Sequence, residues 1–129
     1  MTDYHASIAW QRAGAKFTDN RYSRLHTWTF DEGLQVPASA SPHSVPLPLS
    51  EARAVDPEEA LVAAVSSCHM LWFLSIAAKR GFVVERYADT PVGTLGRNAK
   101  GKDVITVITL RPDIAFAGET RPTAEDIAA

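Results

Sequence analysis

The most regular feature of the chain is an apolar stretch between Asp56 and Gly81 that has clear start and stop signals. Asp56 can cap a helix, Pro57 suits the first helical turn, and Glu59 stands three residues after Asp56, as in a capping box. Gly81 follows two basic residues, which is typical of a helix end. Residues 60–78 are apolar on every side, interrupted only by three serines and one histidine. Because a helix that is hydrophobic all round must be buried all round, we predict a long buried central helix.

The length of this helix raises two questions. The apolar run is just long enough for a membrane span, which needs roughly 20 apolar residues. The serines and histidine at its centre, and the strand-like segments around it, favour a core helix and no membrane association. Some 25 residues of helix are about 37 Å long, more than one small domain easily covers on all sides. We therefore predict a homodimer with this helix at or near the interface.

Strand patterns lie on both sides of the helix. A hairpin turn is predicted at Asp31–Gly33, where Gly33 follows two acidic residues. The predicted strand at 103–111 has two apolar faces, so we predict that it is central in its sheet. The predicted strands, which are rich in alternating, β-branched or aromatic residues, are 4–10, 21–30, 82–88, 93–95 and 103–111.

The segment 38–49 has a different character. Its three prolines, Pro42, Pro46 and Pro48, exclude a central strand or a helix. It is either a linker of polyproline character or a loop laid over the helix beside a pocket, since loops often build sites. The sequence leaves both interpretations open.

Composition excludes several classes of function. A chain of 129 residues is one domain by size, and 46% apolar with 22% charged residues is ordinary for a globular protein. The net charge of −2 gives no indication of nucleic-acid binding. No signal peptide is visible, and the lone Cys68 cannot form an intrachain disulfide, so a cytoplasmic location is expected. The four histidines are scattered, so no metal site is predicted.

The C-terminal residues 121–126 resemble the start of a second helix. One helical turn cannot offset the free-energy cost of helix nucleation. We therefore expect residues 1–129 to form a single domain that stops early in this second helix.

The helix carries a resemblance to a known family. The residues DPEEALVAAVSSCHM resemble the helix motif of the OsmC/Ohr family, the osmotically inducible and organic hydroperoxide resistance proteins, in which a Pro-Glu pair precedes a cysteine. Glu58 and Cys68 have the spacing of that motif. YSRLHTWTFDEG and the ASASP loop resemble one subgroup. The resemblance implies an α+β fold, with bent antiparallel sheets wrapped on the central helix in an intertwined homodimer.

The same resemblance implies an activity and its residues. It indicates a thiol-dependent peroxidase that reduces organic hydroperoxides, with Cys68 as the attacking cysteine, Glu58 as the carboxylate and Arg24 as the arginine. Arg21 and Arg53 are the other candidates for the arginine. No cofactor is implied beyond an external thiol or dithiol reductant. The family's second, resolving cysteine has no counterpart in the sequence, so oxidised Cys68 needs an external thiol unless the protein continues past residue 129.

The residue types agree with this chemistry. A cysteine attacks a peroxide oxygen only as the thiolate, and an apolar helix favours the neutral thiol. An arginine can stabilise the thiolate without losing its own charge, and a glutamate can hold the guanidinium by a two-pronged pair. The alternative is a non-enzymatic dimer that binds a ligand or senses oxidants, in which Cys68 is oxidised but does not turn over.

Overall fold

The computed structural model describes residues 2–118 and 121–123. The chain divides into two compact units, residues 1–60 and 61–129. Of the predicted helix start at 121–126, residues 124–126 lie outside the described residues. The elements in chain order are β1 (Ala6–Ala9), β2 (His26–Phe30), a 3₁₀ turn (Asp31–Gly33), β3 (Gln35–Ala38), α1 (Pro57–Lys79), β4 (Val83–Ala88), β5 (Val92–Arg97), β6 (Asp103–Thr109) and β7 (Asp113–Ala117).

The first unit contains a three-stranded antiparallel sheet in the order β1-β2-β3. The predicted hairpin turn is confirmed, and Glu32 and Gly33 take left-handed φ values of 63° and 86° within it. The strand predicted over 21–30 is shorter, because β2 begins only at His26. Arg24 therefore precedes the strand, and its backbone N–H donates to the carbonyl of Leu49 at 2.7 Å instead of to a sheet neighbour.

The segment 38–49 is a packed loop rather than a linker. Ser39 is fully buried, its N–H donates to the carbonyl of Val55 at 2.9 Å, and its Oγ accepts the N–H of Glu51 at 3.0 Å. Ser50 donates from its hydroxyl to the carbonyl of Val45 at 2.6 Å. Serine side chains supply the partners that an irregular buried backbone needs. The loop is therefore fixed directly before α1.

Both ends of α1 follow the sequence signals. The N–H of Glu59 donates to Asp56 Oδ1 at 2.8 Å, and the N–H of Asp56 donates to Glu59 Oε1 at 3.0 Å, which completes the capping box. At the other end Gly81 has a φ of 81°. Its N–H donates to the carbonyl of Ala78 at 3.2 Å, and that of Phe82 to the carbonyl of Ala77 at 3.0 Å. This is a Schellman termination.

The second unit holds two small antiparallel sheets, β4-β7 and β5-β6. The prediction of a central strand at 103–111 is not met in the single chain, because among the described residues β6 pairs only with β5. The β4-β7 sheet contacts α1 through Phe73, whose ring lies 5.8 Å from that of Tyr87 and 6.4 Å from that of Phe116. Gly93 of β5 lies against Val62, whose Cγ2 would be 2.4 Å from a β-carbon at that glycine.

Most of α1 is exposed in the single chain. Only Ser66 and Ala77 of this helix are buried, whereas Leu71 and Trp72 are 60% and 67% exposed. The reason is that two-stranded sheets cover little of a helix that is apolar on every side. The burial expected from the sequence is therefore not achieved within one chain, and the intertwined homodimer stays a prediction.

Candidate active site

A cavity of about 480 Å³ lies within the first unit. The segment between β1 and β2, the packed loop after β3 and the first residue of α1 contribute to its lining. Both sequence segments that resemble the family's subgroup thus contribute to its walls. Its lining residues are Trp10, Phe17, Tyr22, Arg24, His26, Ser39, Ala40 and Pro57.

Three aromatic rings form one wall of the cavity. Phe17 and Tyr22 are stacked with ring centroids 4.6 Å apart, and Trp10 meets Tyr22 edge-on at 5.4 Å and Phe17 at 5.9 Å. The indole N–H of Trp10 donates to the carbonyl of Ser23 at 2.8 Å. Edge-on contacts such as that of Trp10 with Tyr22 are preferred for aromatic pairs, and the three rings support one another.

Arg24 is the guanidinium of this cavity. Its Cζ lies 3.7 Å from the centre of the Tyr22 ring, a cation–π contact. Nη1 donates to the carbonyls of Asn20 (3.2 Å) and Tyr22, and Nη2 donates to Asn20 Oδ1 at 3.1 Å. A guanidinium has five N–H donors. The Nε–H and one Nη2–H of Arg24 therefore have no partner within the described part of the chain.

The ring of His26 fixes the backbone of Arg24. Trp28 Nε1 donates to His26 Nε2 at 3.1 Å. Since an indole nitrogen can only donate, Nε2 must be the unprotonated nitrogen, and Nδ1 carries the proton. His26 Nδ1 then donates to the carbonyl of Arg24, 2.7 Å away.

Glu58 stands at the start of α1, directly after Pro57 of the cavity wall. Its Oε2 is shielded from solvent and has no hydrogen-bond partner among the described residues. Burying a carboxylate oxygen without a donor costs free energy, and a cationic partner at this atom would offset that cost. The predicted pair between Glu58 and Arg24 is not formed within the described chain, because Arg24 donates to Asn20 and Tyr22 instead.

The other candidate arginines lie elsewhere. Arg21 and Arg53 are exposed and do not line the cavity. Their backbone N–H groups donate to Asp19 Oδ1 at 3.0 Å and to Glu51 Oε1 at 3.1 Å, respectively, in local turns. Of the three arginines, only Arg24 lines this cavity.

Cys68 lies in the second unit, on the part of α1 that follows residue 60, and it is exposed. Two polar pairs flank it in sequence. Ser66 donates to Asp89 Oδ2 at 2.7 Å, and His69 Nδ1 is hydrogen-bonded to the hydroxyl of Tyr87 at 3.1 Å. Both pairs join α1 to the end of β4 or the loop that follows, and so they hold the helix on either side of the thiol.

Sequence reasoning missed the aromatic wall and the Asp89 contacts. Trp10 and Tyr22 belong to the predicted strands 4–10 and 21–30, and Phe17 lies between these strands. Their common signal is an aromatic residue on each side of Gly14 and Asn20. Asp89 gave no signal, because a single carboxylate between two strands is usually solvated.

Comparisons with known proteins agree with this fold. The structure matches that of an OsmC-like protein of unknown function from Vibrio cholerae with a TM-score of 0.95 and 54% identity, covering 99% of this chain and 84% of the other. It matches an OsmC-like protein from Mycoplasma pneumoniae with a TM-score of 0.68 at 15% identity, covering 98% and 76% of the two chains.

A third match is a putative organic hydroperoxide resistance protein from Vibrio cholerae, solved with captopril in one of its active sites. Its TM-score is 0.57 at 15% identity, and 92% of this chain and 72% of the other are covered, so the likeness shows the fold alone. No curated protein matches the chain significantly. Residues 50–129 match the family described as OsmC-like protein, so α1 is the core helix of a soluble domain, and the chain belongs to the OsmC-like family.

Proposed function

We propose that this protein is a cytoplasmic, thiol-dependent peroxidase that reduces organic hydroperoxides through Cys68. The proposal is carried by the state of two side chains, Arg24 in the cavity wall and Glu58 directly after the wall residue Pro57. Among residues 2–118 and 121–123, no donor reaches the buried Oε2 of Glu58, and no acceptor reaches two of the N–H groups of Arg24. A glutamate can position a guanidinium by hydrogen bonds, and the positive charge of the guanidinium can stabilise a nearby thiolate.

The reaction has two steps. The Cys68 thiolate attacks one oxygen of the hydroperoxide, so that an S–O bond forms, the O–O bond breaks, and the departing alkoxide takes up a proton to become the alcohol. The sulfur is oxidised to sulfenic acid and the peroxide is reduced. An external thiol then attacks the sulfenic acid, which releases water and leaves a mixed disulfide. A second thiol reduces that disulfide and restores Cys68.

The site needs a second copy of the chain. Glu58 and Cys68 belong to one continuous helix, and ten residues of helix rise about 15 Å. Two copies of α1 packed across a twofold axis would bring the start of one near the middle of the other. The exposed apolar side chains of α1, with Leu71 and Trp72 the most exposed, supply the surface for this packing. We propose two equivalent sites in a homodimer, each using groups from both subunits.

The first test is turnover of tert-butyl hydroperoxide with a dithiol reductant. The wild-type protein should consume many equivalents of peroxide per subunit, and Cys68→Ser should consume none while keeping its circular dichroism spectrum. Ser67→Ala, which changes the neighbouring exposed residue, is the matched control and should retain turnover. Retained turnover in Cys68→Ser would refute the role of the thiol.

The second candidate function is a dimer that binds a ligand or senses oxidants without turnover. The bonds of Arg24 to Asn20 and Tyr22 favour it, because they hold the guanidinium on the cavity wall and away from Glu58. The same assay separates the two functions. A sensor consumes one equivalent of peroxide per Cys68 and stops, even when excess reductant is present.

A further inference from the structure

We propose that the aromatic wall formed by Trp10, Phe17 and Tyr22 makes the cavity selective for hydroperoxides that carry an aryl group. This inference rests on the proposed function, and it assigns the substrate class to residues that have no part in the thiol chemistry. It starts from the shape of the cavity. A volume of about 480 Å³ lies in the ordinary range of small-ligand pockets, roughly 300–1,000 Å³.

The rings of the wall are still open to a further ring. Trp10 and Phe17 are 39% and 44% exposed although they contact each other and Tyr22. Large apolar rings that face water in a concave site gain free energy when a ligand covers them. An aryl group gains more than an alkyl group of equal size, because it also offers a π-face and an edge to the exposed rings.

The backbone of this segment is strained in a way that places Phe17 on the wall. Phe17 has a φ of 76°, and Ala13, Gly14 and Asn20 are also left-handed, at 52°, 83° and 63°. A left-handed φ is a true outlier for a bulky side chain, and such strain persists only where the surroundings enforce it. The N–H of Asn20 donates to the carbonyl of Phe17 at 2.9 Å and closes the turn. The strained turn thus presents an apolar ring to the cavity.

The charges of the cavity orient such a substrate. Arg24 is the one permanently charged side chain among the lining residues, and its guanidinium is stacked on Tyr22, beside the aromatic wall. A hydroperoxide with its aryl group on the wall would have its polar oxygens close to the guanidinium of Arg24. The aryl group and the peroxide are thereby bound by different parts of one cavity.

Binding of the product alcohol tests this selectivity without any catalysis. Cumyl alcohol and its cyclohexyl analogue have nearly the same size, but only the first has an aromatic ring. Calorimetric titration of the wild-type protein should show cumyl alcohol binding about fivefold tighter, the gain expected for one aromatic pair. Phe17→Leu should abolish this preference. Tyr4→Leu, which removes a 91% exposed ring outside the cavity, should keep it.

Kinetics provide the second measurement. The ratio of kcat/KM for cumene hydroperoxide to that for tert-butyl hydroperoxide should fall about fivefold in Phe17→Leu and in Trp10→Leu. Tyr4→Leu, which changes an exposed ring outside the cavity, is the control and should keep the ratio. If Phe17→Leu does not fold, Trp10→Leu decides. Equal binding of the two alcohols, or an unchanged kinetic ratio in the folded variant, would overturn the proposal.

Two further outcomes are distinct. If the ring variants change the oligomeric state in sedimentation but not the ratio, a second copy of the chain occupies the cavity, and the proposal is overturned. If the wild-type protein consumes no peroxide but binds cumyl alcohol with the stated preference, the proposed function fails while the aryl selectivity of the cavity stands.

Discussion

Ser66, two residues before the candidate thiol Cys68 in sequence, donates a hydrogen bond of 2.7 Å from its hydroxyl to Oδ2 of Asp89. The other carboxylate oxygen of Asp89 accepts the backbone N–H of Arg111 at 2.8 Å. Asp89 follows β4, and Arg111 lies between β6 and β7. A single carboxylate thus joins α1 to the connections of both sheets in the second unit. Rotation of the helix next to Cys68 is restricted by this contact.

Loss of the Ser66–Asp89 bond should destabilise the protein. Ser66 is buried, so Ser66→Ala leaves a carboxylate oxygen without its donor, and we expect a loss of about 1–3 kcal/mol in the free energy of unfolding. Urea denaturation measures it. Ser67→Ala, at an exposed position, is the control and should change the free energy by less than about 0.5 kcal/mol. Equal effects of the two substitutions would show that the bond is unimportant.

Tyr87 should make the stability of the protein depend on alkaline pH. Burial and, second, the nearby Asp89 carboxylate raise the pKa of Tyr87 above its ordinary value of 10.0. The neutral phenol is therefore favoured in the folded state. Its contribution to the stability of the folded protein is complete below pH 10 and is lost as the pH rises through the raised pKa. Urea midpoints between neutral pH and about pH 11 should fall less steeply in Tyr87→Phe. Tyr4→Phe, at a 91% exposed position, is the control and should follow the wild-type curve.

Gly93 should not tolerate a side chain. A β-carbon there would lie 2.4 Å from Cγ2 of Val62, so Gly93→Ala should destabilise the protein by roughly 1–3 kcal/mol. Val62→Ala removes the clashing methyl group. The double variant should therefore be more stable than the sum of the two single effects predicts, as measured in a double-mutant cycle. Strict additivity would contradict the close approach of β5 to α1.

Arg24 should be needed for activity more than for stability. Arg24→Ala removes the cation of the cavity and should slow peroxide reduction on the order of 100-fold, as loss of a preorganised electrostatic group does. Alkylation of Cys68 at neutral pH should slow as well. Arg24→Lys keeps the charge but loses the planar fork, and it should be intermediate. Arg21→Ala and Arg53→Ala, at exposed positions, are the controls. If one of them is inactive and Arg24→Ala is not, the arginine is misassigned although the mechanism can stand.

Subunit mixing should reveal whether the site is shared. Cys68→Ser and Glu58→Ala should each be inactive alone. If each site uses Cys68 of one subunit and Glu58 of the other, a heterodimer of the two variants has one intact site. An equimolar mixture that exchanges freely should then regain about a quarter of wild-type activity, because half of the dimers are mixed and each has one working site. A mixture that stays inactive after proven exchange would place both groups in one chain.

The sequence by itself determined the features that depend on short-range interactions. The limits of α1 follow from Asp56, Glu59 and Gly81, because capping bonds and a left-handed glycine are decided within a few residues. The turn at Asp31–Gly33 follows for the same reason. The family was also recognisable from the spacing of Glu58 and Cys68, since both stand on one regular element.

Only the tertiary structure decided the features that depend on residues distant in sequence. It showed that 38–49 is a packed loop, because Ser39 finds its partners at Val55 and Glu51. It separated Arg24 from the two exposed arginines, because no local pattern reveals which strand-flanking side chain faces a cavity. It also showed that, in the part of the chain that the structure describes, β6 pairs with β5 alone, since strand pairing is a long-range choice that alternation along one strand does not specify.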